Sequence, residues 1–323
     1  MALRTRLTER LGIRHPILSA PMGGTAGGAL AAAVSGAGGL GLIGGGGALN
    51  DPDTWLLPQF AAAGNQRVGC GFITWGLAKR PGNLAVALAR SPAVMMFSFG
   101  DASPFIPQVK DAGIPVICQV QNLAMARSAL ALGADIIVAQ GAEAGGHGAR
   151  RGTLPLVPAV VDLVREVRSD ALVVAAGGIA DGRGLAAALM LGADGVLMGT
   201  RFHVSEESLV GETAKAQLVA TGGDETVRST LFDVGRDFPW PHPFTGRALA
   251  NRFTETWYGH EMALAEDADA KADYKAANAR GDADLTVVWG GEAIDLIDSV
   301  EPAGAIVERV VAEAETALAR KFD

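Results

Sequence analysis

The sequence predicts an α/β fold, a (β/α)8 barrel of parallel strands with a helical second domain inserted after strand eight. Three observations predict it. Short apolar runs recur eight times before residue 200, Ala- and Leu-rich stretches of helical period lie between them, and the rhythm stops after "MGTRF", Met198 to Phe202. Apolar runs without polar alternation are strands covered on both faces, and strands alternating with helices pair in parallel. Eight such units suggest a closed barrel.

The eight runs are "HPILSAP" (15–21), "GLGLIG" (39–44), "RVGCGFIT" (67–74), "AVMMFSF" (93–99), "IPVICQV" (114–120), "DIIVAQ" (135–140), "ALVVAA" (171–176) and "DGVLMG" (194–199). Between them, "NLAMARSALALGA" (122–134) and "DGRGLAAALMLGA" (181–193) each close on a glycine where a helix C-cap falls. No charge occurs between His15 and Asp51, a length that suggests a membrane span. Yet Gly23 to Gly47 is too glycine-rich to be helical throughout, and reads as a loop, a short helix near 26–35, a turn and a buried strand at 40–43. Its "GAGGLG" (36–41) is formally GxGxxG. A dinucleotide site needs a strand before those glycines and a helix after them; the order here is reversed, which argues against a Rossmann site.

After Phe202 the strand rhythm is lost. Residues 205–289 gather Trp240, Trp257 and both tyrosines, then turn rich in Ala and Asp, and are expected to form a helical insertion or lid. The closing "PAGAIVERVVAEAETALARKF" (302–322) has amphipathic spacing and supplies the last barrel helix, so the barrel is assigned to 1–204 and 290–323.

Composition narrows the function classes. With 27 basic against 35 acidic residues the net charge is −8, and no basic run is present to neutralise phosphates, so nucleic acid is not an expected partner. Cys70 and Cys118 sit in apolar runs without CxxC spacing and read as buried small residues. The N-terminus "MALRTRLTERLGIRHP" is charged and lacks the apolar core of a signal peptide; a cytoplasmic, reducing compartment is expected, with no membrane partner.

In a barrel the chemistry belongs to the loops that follow the strands, and phosphate commonly binds after strands seven and eight. In "AAGGIADG" (175–182), Gly177 and Gly178 let backbone N–H groups face an anion and Asp181 is placed to cap the next helix. Gly199 and Thr200 add an amide and a hydroxyl. The loop "QGAEAGGHGARRG" (140–152) crowds glycines around His147, and glycine is kept where backbone turns sharply or approaches something closely. Two roles are open for His147: a structural hydrogen-bonding residue, or a general base or orienting donor at neutral pH. His15, His203, His242 and His260 are scattered without HxH or HExxH spacing, so no metal site is indicated.

Four segments, "APMGG" (20–24), "QGAEAGGHG" (140–148), "AAGGIADG" (175–182) and "GADGVLMGTRF" (192–202), resemble the nitronate monooxygenases, formerly called 2-nitropropane dioxygenases, and the resemblance covers nearly the whole chain. It implies FMN bound in a TIM barrel, a helical domain closing over the flavin, and oxidation of an alkyl nitronate by O2 to a carbonyl compound and nitrite. By position it implies that Ala20, Pro21 and Met22 lie against the isoalloxazine edge, and that Gln119 and Gln140 face the ring and ribityl chain. Gly145, Gly177, Gly178, Gly199 and Thr200 would hold the phosphate, with Gly146 beside them in the cofactor site, and His147 would be the catalytic base. The implied partners are a small-molecule substrate and O2; a homodimer is carried as the expected assembly.

The same motifs resemble a sister family, the FMN-dependent enoyl-ACP reductases, which share "EAGGH" and "AAGGIADG" and use a nicotinamide donor. NADH:quinone reductases are similar as well. Inosine monophosphate dehydrogenases need a nucleophilic cysteine after strand six, and this chain has none there. A non-catalytic flavin-binding protein is the alternative from another class, and it would have to explain an ionisable group beside an open flavin face. Nothing in 205–289 names the substrate, and Arg150 and Arg151 either contact it or are solvated.

Overall fold

The structure, a computed structural model, describes residues 3–46, 52–238 and 240–321. Gly47 and Asp51, where the uncharged stretch ends, lie outside them, as do the outermost residues of the expected barrel range. The strands are β1 (Ile17–Ser19), β2 (Leu42–Gly44), β3 (Gly69–Ile73), β4 (Met95–Ser98), β5 (Val116–Val120), β6 (Ile136–Gln140), β7 (Gly146–Gly148), β8 (Leu172–Ala176) and β9 (Gly195–Met198), with β10 (Thr226–Ser229) and β11 (Thr245–Leu249) further on. All eight predicted strands are present, each inside its apolar run. They pair in the order β1-β9-β8-β6-β5-β4-β3-β2, every ladder parallel, and the ring closes through a parallel bridge between Leu18 and Leu40. This is a TIM barrel.

The period of two along each strand divides the core. Leu18, Met96, Ile117, Ile136, Val138, Leu172, Val174 and Leu197 fill the barrel, with Leu7 and Leu11 of the helix Arg6–Leu11 packed against them. Alternate residues such as Val116, Cys118, Ile137, Val173 and Val196 belong to the layer beneath the helices. Stepping two residues up the inward rows reaches Ala20, Ser98, Gln119, Gln140, Ala176 and Gly199. Those positions, small or polar, form the C-terminal rim.

The helices start and stop where local chemistry says they should. Asn122 and Asp181 cap Leu123–Ala131 and Gly182–Met190 by accepting from the amides of Met125 and Gly184, and Gly133 and Gly192 follow those helices with φ of +85° and +93°. The glycine-rich segment is the helix Gly28–Gly36, a turn and β2, in the order that argues against a dinucleotide site. Its glycines serve close packing: a Cβ on Gly41 would stand 2.0 Å from the carbonyl oxygen of Ala31. No helix among the described residues is long and apolar enough to cross a membrane. The final helix Ala303–Leu318 packs against both Gly182–Met190 and Gly28–Gly36, closing the outer ring.

The segment after β9 differs in part from expectation. Five helices, Glu212–Ala220, Leu231–Gly235, Arg252–Trp257, Glu261–Glu266 and Ala268–Ala279, account for most of it, but β10 and β11 form an antiparallel pair, and β11 pairs in turn with β7. Those two strands, "TVRS" and "TGRAL", are half-buried and carry arginines, so neither shows an apolar run or a clean alternation. Their partner is the loop that follows β6, far away in sequence.

Those two arginines tie the insertion to that loop. Arg228 donates to the carbonyl oxygens of Ala142 (2.9 Å), Ala144 (2.7 Å) and Thr245 (2.7 Å), and Arg247 donates to Ala142 (3.2 Å) and to the Thr226 hydroxyl (3.0 Å). Burial pushes the Arg228 guanidinium down to about 10, so it stays protonated at neutral pH. Replacing it by Met (Arg228→Met) would leave those carbonyls without their charged donor at a cost of about 2 to 4 kcal/mol. Equilibrium denaturation checks this, and a loss below about 1 kcal/mol would contradict the anchoring role.

Candidate active site

A cavity of about 340 Å³ opens at the C-terminal rim between the barrel and the insertion, within the size range of small-molecule sites. Sequence reasoning singled out twelve residues: Ala20, Pro21, Met22, Gln119, Gln140, Gly145, Gly146, His147, Gly177, Gly178, Gly199 and Thr200. All twelve line this one cavity. They come from the ends of β1, β5, β6, β8 and β9 and from the β6 loop, so only closure of the barrel brings them together.

One end of the cavity is backbone. Gly177 and Gly178 follow β8 with φ of +97° and +71°, a region that costs an L side chain about 1–2 kcal/mol, and a Cβ on Gly178 would come within 3.1 Å of Glu143 Cβ. The Thr153 hydroxyl donates to the carbonyl of Gly177 (2.9 Å), while the Glu143 carboxylate accepts from the Thr153 amide (2.8 Å) at the start of the helix Thr153–Val167. Gly199 precedes the short helix Thr200–His203, and the Thr200 hydroxyl accepts from the amide of Gly291 (3.2 Å).

The other end is held by side-chain amides. Gln121 and Gln119 donate to Gln140 Oε1 at 2.8 and 3.2 Å, and Gln140 Nε2 donates to the carbonyl of His147 at 3.0 Å. Two neighbouring strand ends thus fix the backbone of His147. Gln140 spends its amide on protein partners, and Gln119 lines the cavity beside it.

His147 stands in β7, opposite Gly246 of β11. Its Nε2 lies 2.9 Å from Asp233 Oδ2, its ring stacks on Trp240 with centroids 3.4 Å apart and planes 8° from parallel, and Trp289 sits 5.0 Å away. The His147 and Asp233 side chains are 8% and 3% exposed, so the pair is out of bulk water. Arg236 Nη2 donates to the second Asp233 oxygen. Burial lowers the His147 pKa below its ordinary 6.5, outweighing the Asp233 hydrogen bond and charge that raise it, and Arg236 and Arg228 lower it further. The imidazole is therefore neutral at pH 7. Whether Nε2 donates to the carboxylate or accepts depends on the tautomer of the ring.

Phe72, Phe99, Phe238, Trp240 and Trp289 wall the rest of the cavity, together with Ser98, His203 and Arg236. Sequence reasoning placed none of these in the site, nor Asp233. A signal was there: "LFDVGRDFPWPHPF" (231–244) sets four aromatic residues beside an Asp-x-x-Arg pair in a segment that is otherwise rich in Ala and charge. Arg150 and Arg151 do not line the cavity, and Arg151 donates to the carbonyl of Pro155.

Comparison with known proteins identifies the family. The nitronate monooxygenase family profile matches residues 4–55 and 61–313. The chain belongs to the nitronate monooxygenase family. It is 34% identical to a nitronate monooxygenase of Neurospora crassa, over 93% of this chain and 89% of that one. Among solved structures, FabK from Thermotoga maritima superposes with a TM-score of 0.81 at 31% identity, covering 98% of this chain and 97% of that one. Nitroalkane oxidase from Streptomyces ansochromogenes superposes with a TM-score of 0.79 at 28% identity, covering 97% and 99%. The family is one of oxidoreductases that are generally flavin-dependent, and this chain is an enzyme of that kind.

His203, buried beside the cavity, gives a pH prediction. Burial and then the Lys215 ammonium push its pKa down to about 4. Below pH 6.5 the unfolded chain takes up a proton that the folded state refuses, so this contribution to stability is complete above about 6.5 and is lost as pH falls toward 4. Between pH 7.5 and 4.5 it amounts to about 2–3 kcal/mol. Urea denaturation at both pH values should show a smaller loss for His203→Gln than for the wild type; equal losses would refute the assignment.

Proposed function

We propose that this protein binds FMN in the rim cavity and oxidises alkyl nitronates with O2, giving a carbonyl compound and nitrite. Two features of the cavity fit the cofactor. Its glycine loops offer backbone amides and the Thr200 hydroxyl, and at Gly178, φ +71°, a Cβ would crowd Glu143, a donor set suited to a phosphate. Its lining also includes Ala20, Pro21, Met22 and Gln119, small and polar groups along which a flavin ring can lie. Gly145, Gly146, Gly177, Gly178, Gly199 and Thr200 would hold the phosphate region, and Gln119 and Gln140 the ribityl and ring side. Bound there, the flavin supplies the electron acceptor and the reactivity toward O2.

The observation that carries the reading is His147, a neutral imidazole fixed at Nε2 and facing the same cavity as the glycine floor. Nδ1 can take the α-proton of a neutral nitroalkane, which turns it into a nitronate; a substrate that arrives as the nitronate needs no such step. The aromatic wall keeps water from the reacting carbon. A second reading, an NAD(P)H-dependent flavin reductase, is favoured by the likeness to FabK.

Anaerobic mixing separates the two. A nitronate should bleach the flavin spectrum while NADH and NADPH act slowly or not at all; rapid bleaching by either nicotinamide would transfer the assignment to the reductase. His147→Ala tests the base. Turnover of a neutral nitroalkane should fall by about 10² to 10⁴ in kcat/KM, nitronate turnover should fall much less, and FMN should stay bound. Equal losses for both substrates would remove His147 from that role.

A further inference from the structure

We propose that Asp233, contributed by the insertion, is the positioning residue of His147: it holds the neutral imidazole as the Nε2–H tautomer, so that the Nδ1 lone pair meets the substrate. The inference rests on reading His147 as the base, and adds that the insertion supplies half of it. Asp233 sits on the helix Leu231–Gly235, and the hydrogen bond that joins it to His147 spans 86 residues of sequence. Such a carboxylate, 3% exposed, is costly to bury unless its oxygens are matched. Both are: Oδ2 by His147 Nε2 at 2.9 Å, Oδ1 by Arg236 Nη2.

The two partners are not equivalent. A guanidinium can only donate, so Arg236 claims an acceptor whatever stands at position 233. Imidazole donates or accepts according to its tautomer. With a carboxylate both partners donate, and the proton of His147 is drawn to Nε2. The charged groups acting on the ring are Asp233, Arg236 just past the end of the same helix and Arg228 on β10; its other close neighbours, Phe99, Trp240 and Trp289, are uncharged. Of the three charged groups, only Asp233 stabilises an imidazolium. When a nitroalkane is deprotonated, the C–H bond breaks, its electron pair moves into the nitro group to give the nitronate, and the proton goes to Nδ1 while Nε2–H stays on the carboxylate.

Asp233→Asn makes the inference testable. Arg236 takes the single amide oxygen, the amide NH2 turns to His147, and Nε2 must accept, which moves the ring proton to Nδ1 and removes the base. In the flavin-loaded protein, ¹⁵N spectra of labelled histidine, with the His147 signal assigned by its loss in His147→Ala, should show Nε2–H in the wild type and Nδ1–H in Asp233→Asn. The kcat/KM for a neutral nitroalkane should drop by about 10² to 10⁴, while nitronate turnover stays within a few-fold and flavin content and melting temperature are kept. Residual nitroalkane activity should lose its acid limb to lower pH, because the carboxylate raises the His147 pKa. Asp233→Glu, which restores two acceptors, should recover at least tenfold of the loss. An unchanged tautomer, undiminished nitroalkane turnover, or equal losses on both substrates overturns the proposal. A wild type with no nitroalkane activity would overturn the base reading itself, and the spectra would still decide whether Asp233 sets the tautomer.

Discussion

Three residues of backbone pairing hold the two parts of this site in register. Gly146–Gly148 of β7 lie antiparallel to Thr245–Arg247 of β11, with His147 opposite Gly246. Without that ladder the β6 loop would present its polar backbone to an apolar wall, which folded chains do not tolerate. Gly146, at φ +68°, lets the chain turn into the ladder. Gly246 is bare because Trp289 lies across it: a Cβ there would stand 2.5 Å from the indole. Arg228 and Arg247 then satisfy the carbonyls of Ala142 and Ala144, which the ladder leaves outside. From this pairing follow the position of His147, its contact with Asp233 and the stacking of Trp240.

The chain's cations are placed accordingly. Arg228 and Arg247 bind backbone, and Arg236 binds Asp233. The glycine end of the cavity offers amides and one hydroxyl instead, whose partial charges need no counter-ion when the site stands empty of an anion. On the opposite side, burial and the aromatic wall keep His147 neutral, while the adjacent carboxylate makes it a better proton acceptor than its burial alone would allow. Solvent exclusion and basicity oppose one another at such a site, and a carboxylate held by a guanidinium reconciles them.

The barrel was legible because each of its signals is local. Eight apolar runs announce eight strands, Asp181 announces a helix start, and Gly133 and Gly192 announce helix ends, all within a few residues of what they specify. Five cavity residues, His147, Gly177, Gly178, Gly199 and Thr200, were legible for a related reason, since the loops after strands occupy fixed places on the rim, and the other seven came with the family resemblance. Asp233, Trp240 and Trp289 were not, because nothing within their own segment records that they meet His147. The strands β10 and β11 escaped notice on the same ground: their arginines point to carbonyls of a loop some 85 to 105 residues earlier, and in isolation read as polar surface.

That division bears on how function is distributed along the chain. FabK and nitroalkane oxidase superpose on nearly all of this protein, so the barrel and its appended segment do not distinguish one chemistry from another. What can distinguish them is the set of side chains that the insertion lowers onto a shared rim. Here the rim loops carry the glycine cradle and the imidazole, whereas the partner that fixes the imidazole's proton and most of the wall around it come from residues 231–289. A substitution in the rim loops acts on the cradle and the fold together. One in the insertion, at Asp233 or Trp240, changes the protonation state or the shape offered to substrate and leaves the cradle intact, so reaction specificity can change in this segment without rebuilding the barrel.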